Sequence, residues 1–387
     1  MILKKKHSLI NVAYYGGFFN PIHKDHMQII KKLFHKYKFQ KIFVVLSKNN
    51  NLKQQQMTNV HNQHRLNMLR LALEKYKFVK IITLELEENN FFSYTSNTLK
   101  ILKEKYSSYR FSIVVGEDHL LNLEKWRDFS YLKQFKFIFV KRNNVHNYHL
   151  LSKFKDLNYQ LIDLKLDNFS STAIRNGLLI NGLLKKTLNY INKHNLYLDE
   201  RLQYYLGNDI KRIKHCHLVG RQAIKIAQFY HLDAFTLQQL SLAGKLHDIT
   251  KRFTYQQHQQ LLKNSKYFFM HKEPLPTLHA YSGAALLKKL KYPKIIINAV
   301  FKHTCGAKKM SFFEKIIFVA DKTCADRKYP NLAYYQNLST KNLNLTFKKL
   351  LEKQYQIAKA KSLYLGVQIK KSYRYWIKKS KKEDNIK

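Results

Sequence analysis

Two histidines three residues apart follow a short buried strand and a pair of glycines near the start of the chain. The segment is Gly16-Gly17-Phe18-Phe19-Asn20-Pro21-Ile22-His23-Lys24-Asp25-His26. The glycines let the backbone turn sharply and approach a ligand closely, and Pro21 stiffens the loop. His23 and His26 lie at the start of a predicted helix, where free N–H groups and the helix dipole favour phosphate. Two imidazoles there can stabilise the charge that develops during attack on a triphosphate, which predicts nucleotidyl transfer by positioning without a covalent intermediate.

A second candidate phosphate segment lies far downstream, at Phe169-Ser170-Ser171-Thr172-Ala173-Ile174-Arg175. Serine and threonine are good N-caps and can donate to phosphate, and Arg175 offers a forked donor for the β- and γ-phosphates. Taken alone, this segment is a plain helix cap, and a single His-x-x-His pair is weak among 18 histidines. Together the two segments predict a triphosphate enclosed between two helix N-termini.

The second half of the chain presents histidine or aspartate at an apolar position on each of five successive predicted helices. These residues are His217, His247-Asp248, His279, His303-Thr304 and Asp321. Each alone has an ordinary structural explanation, but buried aspartate is rare unless it is paired or bound to a cation. A divalent metal accepts such a mixture of imidazole and carboxylate and lowers the pKa of bound water. The pattern therefore predicts a metal-dependent hydrolase.

Different secondary structure must position the two groups of residues. The first half alternates short β-branched and aromatic runs with amphipathic helices, which predicts an α/β doubly wound, Rossmann-like sheet that binds ligands at the carboxyl ends of its strands. From about Asp209 helices follow one another, which predicts an all-α domain. We expect a first domain over residues 1–197, a linker over 198–208, a helical domain over 209–377 and a charged tail over 378–387.

Composition sets the class of protein. A hydrophobic fraction of 45% indicates folded domains, and no apolar run reaches the roughly 20 residues of a membrane helix. Three cysteines without CxxC spacing argue against a disulfide framework or a thiolate zinc site and favour the cytoplasm. The net charge of +45 is scattered along the chain. An AT-rich coding sequence would also produce many lysines, and the sequence has no arginine-rich arm or basic helix. No specific nucleic-acid partner is therefore predicted. The oligomeric state is left open.

Residues 1–197 resemble the nicotinate-nucleotide adenylyltransferase family. The resemblance rests on both phosphate segments and on shorter matches between and after them: His64-Arg65, Met68-Leu69, Ser93-Tyr94-Thr95 with Thr98, Val114 to Asp118, Trp126, Lys141-Arg142, Tyr190-Ile191 and Leu196-Tyr197. It implies transfer of AMP from Mg²⁺-bound ATP to nicotinate mononucleotide, with His23, His26 and Arg175 catalytic. The implied ATP-binding residues are Gly16, Gly17, Phe18, His23, His26, Ser171, Thr172 and Arg175. The implied pyridine-nucleotide residues are Thr95, Gly116, Asp118 and Trp126.

The first half departs from the family pattern at three places. Asn20 stands where the family usually has Asp, and Asp25 where it usually has Gly. The loop Ser47-Lys48-Asn49-Asn50-Asn51-Leu52-Lys53 replaces an expected proline-and-histidine loop that would touch substrate. The choice between nicotinate and nicotinamide mononucleotide therefore stays open, whereas the reaction type does not depend on that loop.

The order His, His-Asp, His, His, Asp is similar to that of the HD phosphohydrolases. Residues 205–376 resemble the YqeK-type symmetrical bis(5′-nucleosyl)-tetraphosphatases, with Lys214 where that family tends to have Arg before the first histidine. The resemblance implies hydrolysis of diadenosine tetraphosphate to two ADP at a divalent metal, with iron the expected ion. The implied metal ligands are His217, His247, Asp248 and Asp321, of which Asp248 would also assist the attacking water. The implied nucleotide-binding residues are Lys251, His279, His303, Thr304 and Arg327.

Other functions remain open at this point. The first half could be another nucleotidyltransferase, such as a pantetheine-phosphate adenylyltransferase or a cytidylyltransferase. The second half could hydrolyse deoxynucleotides, cyclic nucleotides or an RNA end, because metal ligands specify hydrolysis and not the leaving group. A polyanion-binding protein with decayed sites is a third hypothesis.

Overall fold

A computed structural model describes residues 9–48, 60–87, 94–141, 147–360 and 365–378. The chain divides into two compact units, Met1–Tyr197 and Leu198–Lys387. Of the sequence-based predictions, the charged tail from 379 onward, Ser93, Arg142 and most of the loop after the second strand lie outside the described residues.

A parallel sheet forms the centre of the first unit. Its six strands are β1 (Ile10–Gly17), β2 (Lys41–Leu46), β3 (Val79–Ile82), β4 (Tyr109–Gly116), β5 (Lys136–Val140) and β6 (Tyr159–Ile162). They follow the order β3-β2-β1-β4-β5-β6, and each pairing is parallel. The order reverses between β1 and β4, which is the switch point where nucleotides bind in doubly wound folds. The predicted fold class is confirmed.

Helices cover both faces of this sheet. They are α1 (Lys24–His35), α2 (Asn62–Leu73), α3 (Leu84–Glu87), α4 (Thr95–Lys105), α5 (Phe129–Leu132), α6 (Ser171–Arg175) and α7 (Lys185–Lys193), with 3₁₀ turns at Glu117–Lys125, Asn147–Lys153 and Ile180–Gly182. Because successive strand residues face opposite sides, Ala13 and Tyr15 of β1 join one apolar core, and Val12 and Tyr14 join the other. Burial on both faces holds β1 and β4 in place and fixes the position of the loops at their ends.

The described part of the second unit is helical. Its helices are α8 (Leu198–Leu206), α9 (Ile210–Phe229), α10 (Ala234–Leu246), α11 (Tyr255–Lys263), α12 (Leu275–Lys289), α13 (Lys294–Lys302), α14 (Phe312–Thr323), α15 (Leu332–Lys341), α16 (Leu343–Ala360) and α17 (Val367–Tyr373), with a 3₁₀ turn at Phe268–Lys272 and a π turn at Arg374–Lys378. Asp209 and Asp233 cap α9 and α10 by accepting from backbone N–H groups at 3.0 and 2.9 Å. The predicted all-α class is confirmed.

Two glycines bring α9 and α10 into backbone contact. A Cβ added to Gly244 would lie 2.7 Å from Cα and from N of Gly220, and one added to Gly220 would lie 2.8 Å from the carbonyl oxygen of Ser241. Neither position leaves room for a side chain, because the neighbouring atoms belong to the backbone. This close crossing brings the middle of α9 next to the end of α10.

Most of the segment expected to be a linker is helix α8. Its Arg201 is 1% exposed and donates a 2.7 Å hydrogen bond to the hydroxyl of Tyr292. Leu202 and Leu206 of α8 are also buried, so this helix is packed into the second unit. Within the described part of the chain, the helices all fall short of the length and apolar character needed to cross a membrane.

Candidate active sites

The loop after β1 carries the first predicted site. Strand β1 continues through Gly17, and neither Gly16 nor Gly17 has a positive φ. The glycines therefore continue the strand and do not make the predicted sharp turn. A Cβ on Gly17 would instead lie 2.9 Å from Cζ of Phe19, whose ring is buried beneath the loop. Glycine at position 17 makes room for that ring.

His23 and His26 lie together at the start of α1, as predicted. His23 is the N-cap residue, and the two imidazole ring centroids are 3.7 Å apart. The backbone N–H of His23 donates to Nδ1 of His26 at 3.2 Å. Neutral His26 therefore carries its proton on Nε2, the form that can donate a hydrogen bond from that atom. A pair of imidazoles held this way is suited to bind phosphate oxygens.

The two predicted phosphate segments are in contact with each other. The Ser171 hydroxyl donates to the carbonyl of Pro21 at 3.0 Å. Arg175 donates from Nη1 to the carbonyl of Asn20 at 2.9 Å and from Nη2 to the Thr172 hydroxyl at 3.2 Å. The structure thus brings the segments together, but it gives Arg175 a role that the sequence did not predict. Arg175 is 9% exposed, and its guanidinium joins the two segments.

The two departures from the family pattern in this loop each have a structural partner. The Asn20 side-chain oxygen accepts a 2.7 Å hydrogen bond from the Tyr197 hydroxyl. The Asp25 carboxylate accepts a 2.8 Å hydrogen bond from the backbone N–H of Phe169. Asp25 is 4% exposed and so links the start of α1 to the segment before α6. These residues reinforce the same contact between the two phosphate segments.

Arg65 is a residue of this region whose role the sequence did not indicate. It is fully buried and donates to the carbonyl of Phe18 at 2.6 Å and to that of Ser47 at 2.8 Å. Its guanidinium also lies 3.9 Å from the centroid of the Phe18 ring. Burial lowers the pKa of Arg65 to about 10. One cation therefore ties together the chain beyond β1 and the chain beyond β2.

The predicted pyridine-nucleotide residues follow strand ends or begin a helix at this edge of the sheet. Gly116 is the last residue of β4, and Asp118 lies in the 3₁₀ turn that follows it. Trp126 comes directly after that turn and packs edge-on against His119, with ring centroids 5.5 Å apart. Thr95 is the first residue of α4. All four predicted residues are partly exposed, as binding residues must be.

In the second unit, six side chains converge that lie on five helices or directly after them. They form overlapping groups whose potential ligand atoms lie within 4.8 Å of one another: His215, His247 and Asp248; His247, His303 and Asp321; Asp248, His279 and His303. Asp248 Oδ1 is 3.0 Å from Nε2 of His279, and Asp321 Oδ1 is 3.2 Å from Nε2 of His215. All six residues are buried. The predicted convergence of helices on a set of metal-ligating side chains is therefore present.

One predicted ligand is replaced by its neighbour. His215, not His217, belongs to this cluster among the residues that the structure describes. His217 lies on another side of α9, 30% exposed, with Nε2 3.3 Å from Oδ1 of Asp199. Residues two apart on a helix point about 200° apart, so one ring can face the interior only if the other turns away. The prediction of His217 as a metal ligand was wrong.

Hydrogen bonds at the far side of the rings determine which nitrogen can bind a metal. Nδ1 of His247 lies 2.6 Å from the carbonyl of Gly244, and Nδ1 of His303 lies 2.7 Å from that of Val300. A carbonyl only accepts, so each ring carries its proton on Nδ1 and presents the Nε2 lone pair to the cluster. His247 Nε2 is buried and has no hydrogen-bond partner in the described part of the chain. The donor set and this buried lone pair fit a divalent metal.

Electrostatics within the cluster favour ionised carboxylates and neutral His247 and His279. Burial alone would lower the pKa of His215, but its contacts with Asp321 and Asp326 raise it. Burial lowers the pKa of His247 to about 4 and that of His279 to about 3. Burial alone would raise the pKa of Asp248, but the electrostatic interaction with His247 and the 3.0 Å hydrogen bond from His279 hold it well below its usual range. The pKa of Asp321 is also depressed, since Lys322 and Arg327 outweigh its burial. Neutral His247 and His279 and the two ionised carboxylates are in the charge states that metal coordination requires.

Cationic side chains surround the carboxylates. Arg212 donates to Asp248 Oδ2 at 2.7 Å, Arg327 contacts Oδ1 of Asp321, and Lys322 lies 3.3 Å from its Oδ2. Lys251 Nζ is 3.2 Å from Nδ1 of His279. Lys251 and Arg327 were predicted here, whereas Arg212 and Lys322 were missed. Arg212 lies three residues before His215 on α9 and therefore on the same side of the helix. Choosing His215 as the ligand would have made Arg212 a candidate neighbour.

Thr304 lies next to the cluster in sequence, directly after His303. Its hydroxyl oxygen is buried and has no hydrogen-bond partner among the described residues. An unsatisfied buried hydroxyl is costly, and a nucleotide oxygen would satisfy it. The structure places Lys251, His279, His303 and Arg327 at or beside the cluster, as expected from sequence, whereas the nucleotide-binding role of Thr304 stays a prediction.

Comparison with known proteins gives the family. The cytidylyltransferase-like family matches residues 14–177, and the HD domain family matches residues 212–326. A Mycoplasma genitalium protein named as a probable nicotinate-nucleotide adenylyltransferase/Ap4A hydrolase is 32% identical over 328 residues, covering 82% of this chain and 88% of the relative. The chain belongs to this family of fused proteins.

Two further proteins are similar to parts of the chain. A Mycoplasma pneumoniae protein with the same name is 29% identical and covers 80% of this chain and 87% of its own length. A crystal structure of a Clostridium acetobutylicum protein, described as a predicted HD superfamily hydrolase involved in NAD metabolism, is 24% identical. It covers 47% of this chain and 96% of its own, with a TM-score of 0.43. Because it belongs to the fused family, the chain is an enzyme with a nucleotidyltransferase-like domain and an HD domain. The HD domain implies a divalent metal.

Proposed function

We propose that the first unit transfers AMP from ATP to nicotinate mononucleotide, giving deamido-NAD and pyrophosphate. The name of the fused relatives supports this substrate. The observation that carries the reaction type is the contact between the His23–His26 loop and the Ser171–Arg175 helix at the carboxyl end of β1. A phosphate oxygen of the mononucleotide attacks the α-phosphorus of ATP, and the bond to the pyrophosphate oxygen breaks.

The residues of this unit act by positioning and by stabilising charge. Nε2–H of His26 and the His23 ring donate to the triphosphate as negative charge builds up in the transition state. Ser171 and Thr172 add hydroxyl donors, and Gly16, Gly17 and Phe18 line the approach. Mg²⁺ accompanies the ATP. Thr95, Gly116, Asp118 and Trp126 receive the pyridine nucleotide at the end of β4.

We propose that the second unit hydrolyses diadenosine tetraphosphate symmetrically to two ADP. The name of the fused relatives supports the substrate, and the convergence of His215, His247, Asp248 and Asp321 supports hydrolysis. Water adds to one of the two central phosphorus atoms, the bond from that atom to the oxygen bridging the central phosphates breaks, and one ADP leaves. The chain's own cations, Lys251 and Arg327 with Arg212, neutralise the phosphate oxygens.

The ligands of the metal would be His215, His247, Asp248 and Asp321, with His279 and His303 beside them. When bound, a divalent metal, for which we propose iron, lowers the pKa of water so that hydroxide forms near neutral pH. Asp248 contacts His279 and Arg212 and so stands where it can orient that water. Buried, unpaired Cys216, Cys305 and Cys324 support a reducing compartment, and we propose the cytoplasm.

A paired activity assay on the full chain tests both proposals. With Mg²⁺ and ATP, nicotinate mononucleotide should become deamido-NAD, and diadenosine tetraphosphate should yield ADP alone. His26→Ala should remove the first activity and leave the second, and Asp248→Ala should do the reverse. Turnover of pantetheine phosphate, or of an RNA end in place of diadenosine tetraphosphate, would assign the corresponding unit to a rival substrate. Tight RNA binding without either turnover would favour a polyanion-binding protein.

A further inference from the structure

His215 has a carboxylate on each side of its ring. Nε2 faces the metal cluster, 3.2 Å from Oδ1 of Asp321. Nδ1 faces away from it and lies 2.9 Å from Oδ2 of Asp326. Because a carboxylate only accepts, Nδ1–H of His215 donates to Asp326, and a metal bound at the cluster would displace any proton that Nε2 shares with Asp321.

This arrangement differs from that of the other two histidines oriented in the same way. His247 and His303 donate Nδ1–H to backbone carbonyls of Gly244 and Val300, each three residues earlier in the chain. Those acceptors are neutral, and local backbone geometry supplies them. The acceptor for His215 is a charged side chain 111 residues away. A carboxylate acceptor makes an imidazole more basic and fixes its orientation more strongly than a carbonyl does.

Asp326 is itself held in place by a second contact. Cys324 Sγ lies 3.0 Å from its Oδ1, so both carboxylate oxygens have a protein donor. Asp326 lies just beyond α14, the helix that carries Asp321. Its side chain is 36% exposed, whereas that of His215 is 5% exposed. The carboxylate can therefore be replaced without opening a cavity in the apolar core.

We propose that Asp326 is a positioning residue for the metal centre: it fixes the ring and the tautomer of His215 and strengthens metal binding through it. The inference rests on the proposed metal-binding role of the cluster, but not on the identity of the substrate. It assigns to Asp326 a function that belongs neither to the direct ligands nor to the nucleotide-binding cations described above.

The test measures metal binding directly. Metal-free full-length protein is titrated with Co²⁺, whose visible absorption reports the coordination of the bound ion. Asp326→Asn should raise the dissociation constant about 10- to 100-fold without changing the stoichiometry, because the amide keeps the shape but lacks the charge. Asp326→Glu, which retains the carboxylate, should bind Co²⁺ more tightly than Asp326→Asn. Adenylyl transfer by the first unit should be unchanged and reports an intact chain.

Asp233→Asn is the matched control. Asp233 is an exposed carboxylate in the same unit that caps α10, and asparagine caps helices equally well. If the Co²⁺ dissociation constant of Asp326→Asn lies within twofold of the constants of wild type and of the control, the proposal is overturned. Loss of one Co²⁺ per chain, which would make Asp326 a ligand, would also overturn it. If Asp326→Asn does not fold, Asp326→Glu is compared with His215→Ala instead. Equally weak Co²⁺ binding by these two variants would count against the proposal. If wild type binds Co²⁺ but leaves diadenosine tetraphosphate intact, the proposed substrate fails while the role of Asp326 is still tested.

Discussion

Arg175 donates a 2.9 Å hydrogen bond to the backbone carbonyl of Asn20, a residue 155 positions earlier in the chain. The bond joins the helix after the last strand to the loop after the first one. Sequence motifs that lie at opposite ends of the first unit are thereby parts of one surface. The guanidinium donates to protein at two points, so its contribution to catalysis includes the shape of the phosphate-binding loop.

Replacing Arg175 should therefore impair adenylyl transfer through both charge and geometry. We expect Arg175→Ala to lower kcat/KM for ATP about 100-fold or more, as for loss of one preorganised donor. Arg175→Lys keeps the charge but cannot span Asn20 and Thr172, so its activity should be intermediate. Hydrolysis by the second unit should stay constant in both variants. The control is Arg110→Ala, which replaces an exposed arginine on β4. A kcat/KM of Arg175→Ala within threefold of that of the control would contradict this role.

His215 and His217 provide a matched pair of variants on one helix. We expect His215→Ala to lose metal binding and hydrolysis, because its Nε2 faces Asp321 within the cluster. His217→Ala should keep both, since its ring contacts the exposed Asp199 instead. Metal content per chain, measured after the same loading protocol, checks the two variants directly. Equal loss of metal in both would show that the helix, and not one imidazole, was disturbed.

The choice between these two histidines shows where sequence reasoning reaches its limit. The helical face shared by Ile210, Ile213, His217, Gly220 and Ile224 predicted that His217 points inward, yet Ile210 is 76% exposed at the start of α9. The buried face is made of smaller residues instead, among them Cys216, Val219, Gly220 and Ala223. Large aliphatic residues in the first turn of a helix are a poor guide to its buried face, because that turn projects beyond the core. Gly220, which contacts Gly244, lay on both the expected and the observed buried face and so did not distinguish His215 from His217.

Other parts of the fold were predicted to different degrees. Long strands with continuous apolar runs, such as β1 and β4, were recognised because burial on both sheet faces leaves a plain sequence pattern. Strand β6 was missed, since Tyr159–Ile162 has four residues at the sheet edge and only Ile162 is buried. The role of Arg65 could not be predicted, because its acceptors are carbonyls of two different loops. Such a partnership exists only once the chain has folded.

Acid should destabilise the second unit partly through His258. This ring is 2% exposed, with Nδ1 2.7 Å from the Ser282 hydroxyl, and burial lowers its pKa from 6.5 to about 4. A depressed folded-state pKa means that the unfolded chain takes up the proton first. His258 therefore does not lower the free energy of unfolding at a pH well above 6.5, and it lowers that free energy progressively as the pH falls from 6.5 towards 4. Between pH 7.5 and 5.0 the loss should be about 2 kcal/mol.

The measurement compares wild type with His258→Asn, whose amide can replace Nδ1 at Ser282. Both are unfolded by guanidinium at the two pH values and followed by Trp376 fluorescence in a Trp126→Phe background, so that only the second unit is observed. The wild type should lose about 2 kcal/mol more than His258→Asn on acidification, and the exposed His231→Asn should behave like wild type. Identical pH dependence in wild type and His258→Asn would rule out this contribution.

Gly244→Ala should separate α9 from α10 and weaken the metal centre without touching a ligand. The new Cβ would lie 2.7 Å from backbone atoms of Gly220, which cannot rotate away. Overpacking of this kind typically costs about 1–3 kcal/mol, and these helices position His215 and His247. Gly283→Ala is the control in the same unit, because its Cβ would meet side-chain atoms of Val300 and Thr250 at 3.3 and 3.4 Å, which can shift. We expect Gly244→Ala to show the larger loss of stability and of Co²⁺ affinity, with adenylyl transfer unaffected in both. Equal effects of the two substitutions would mean that the α9–α10 contact has no special importance for the site.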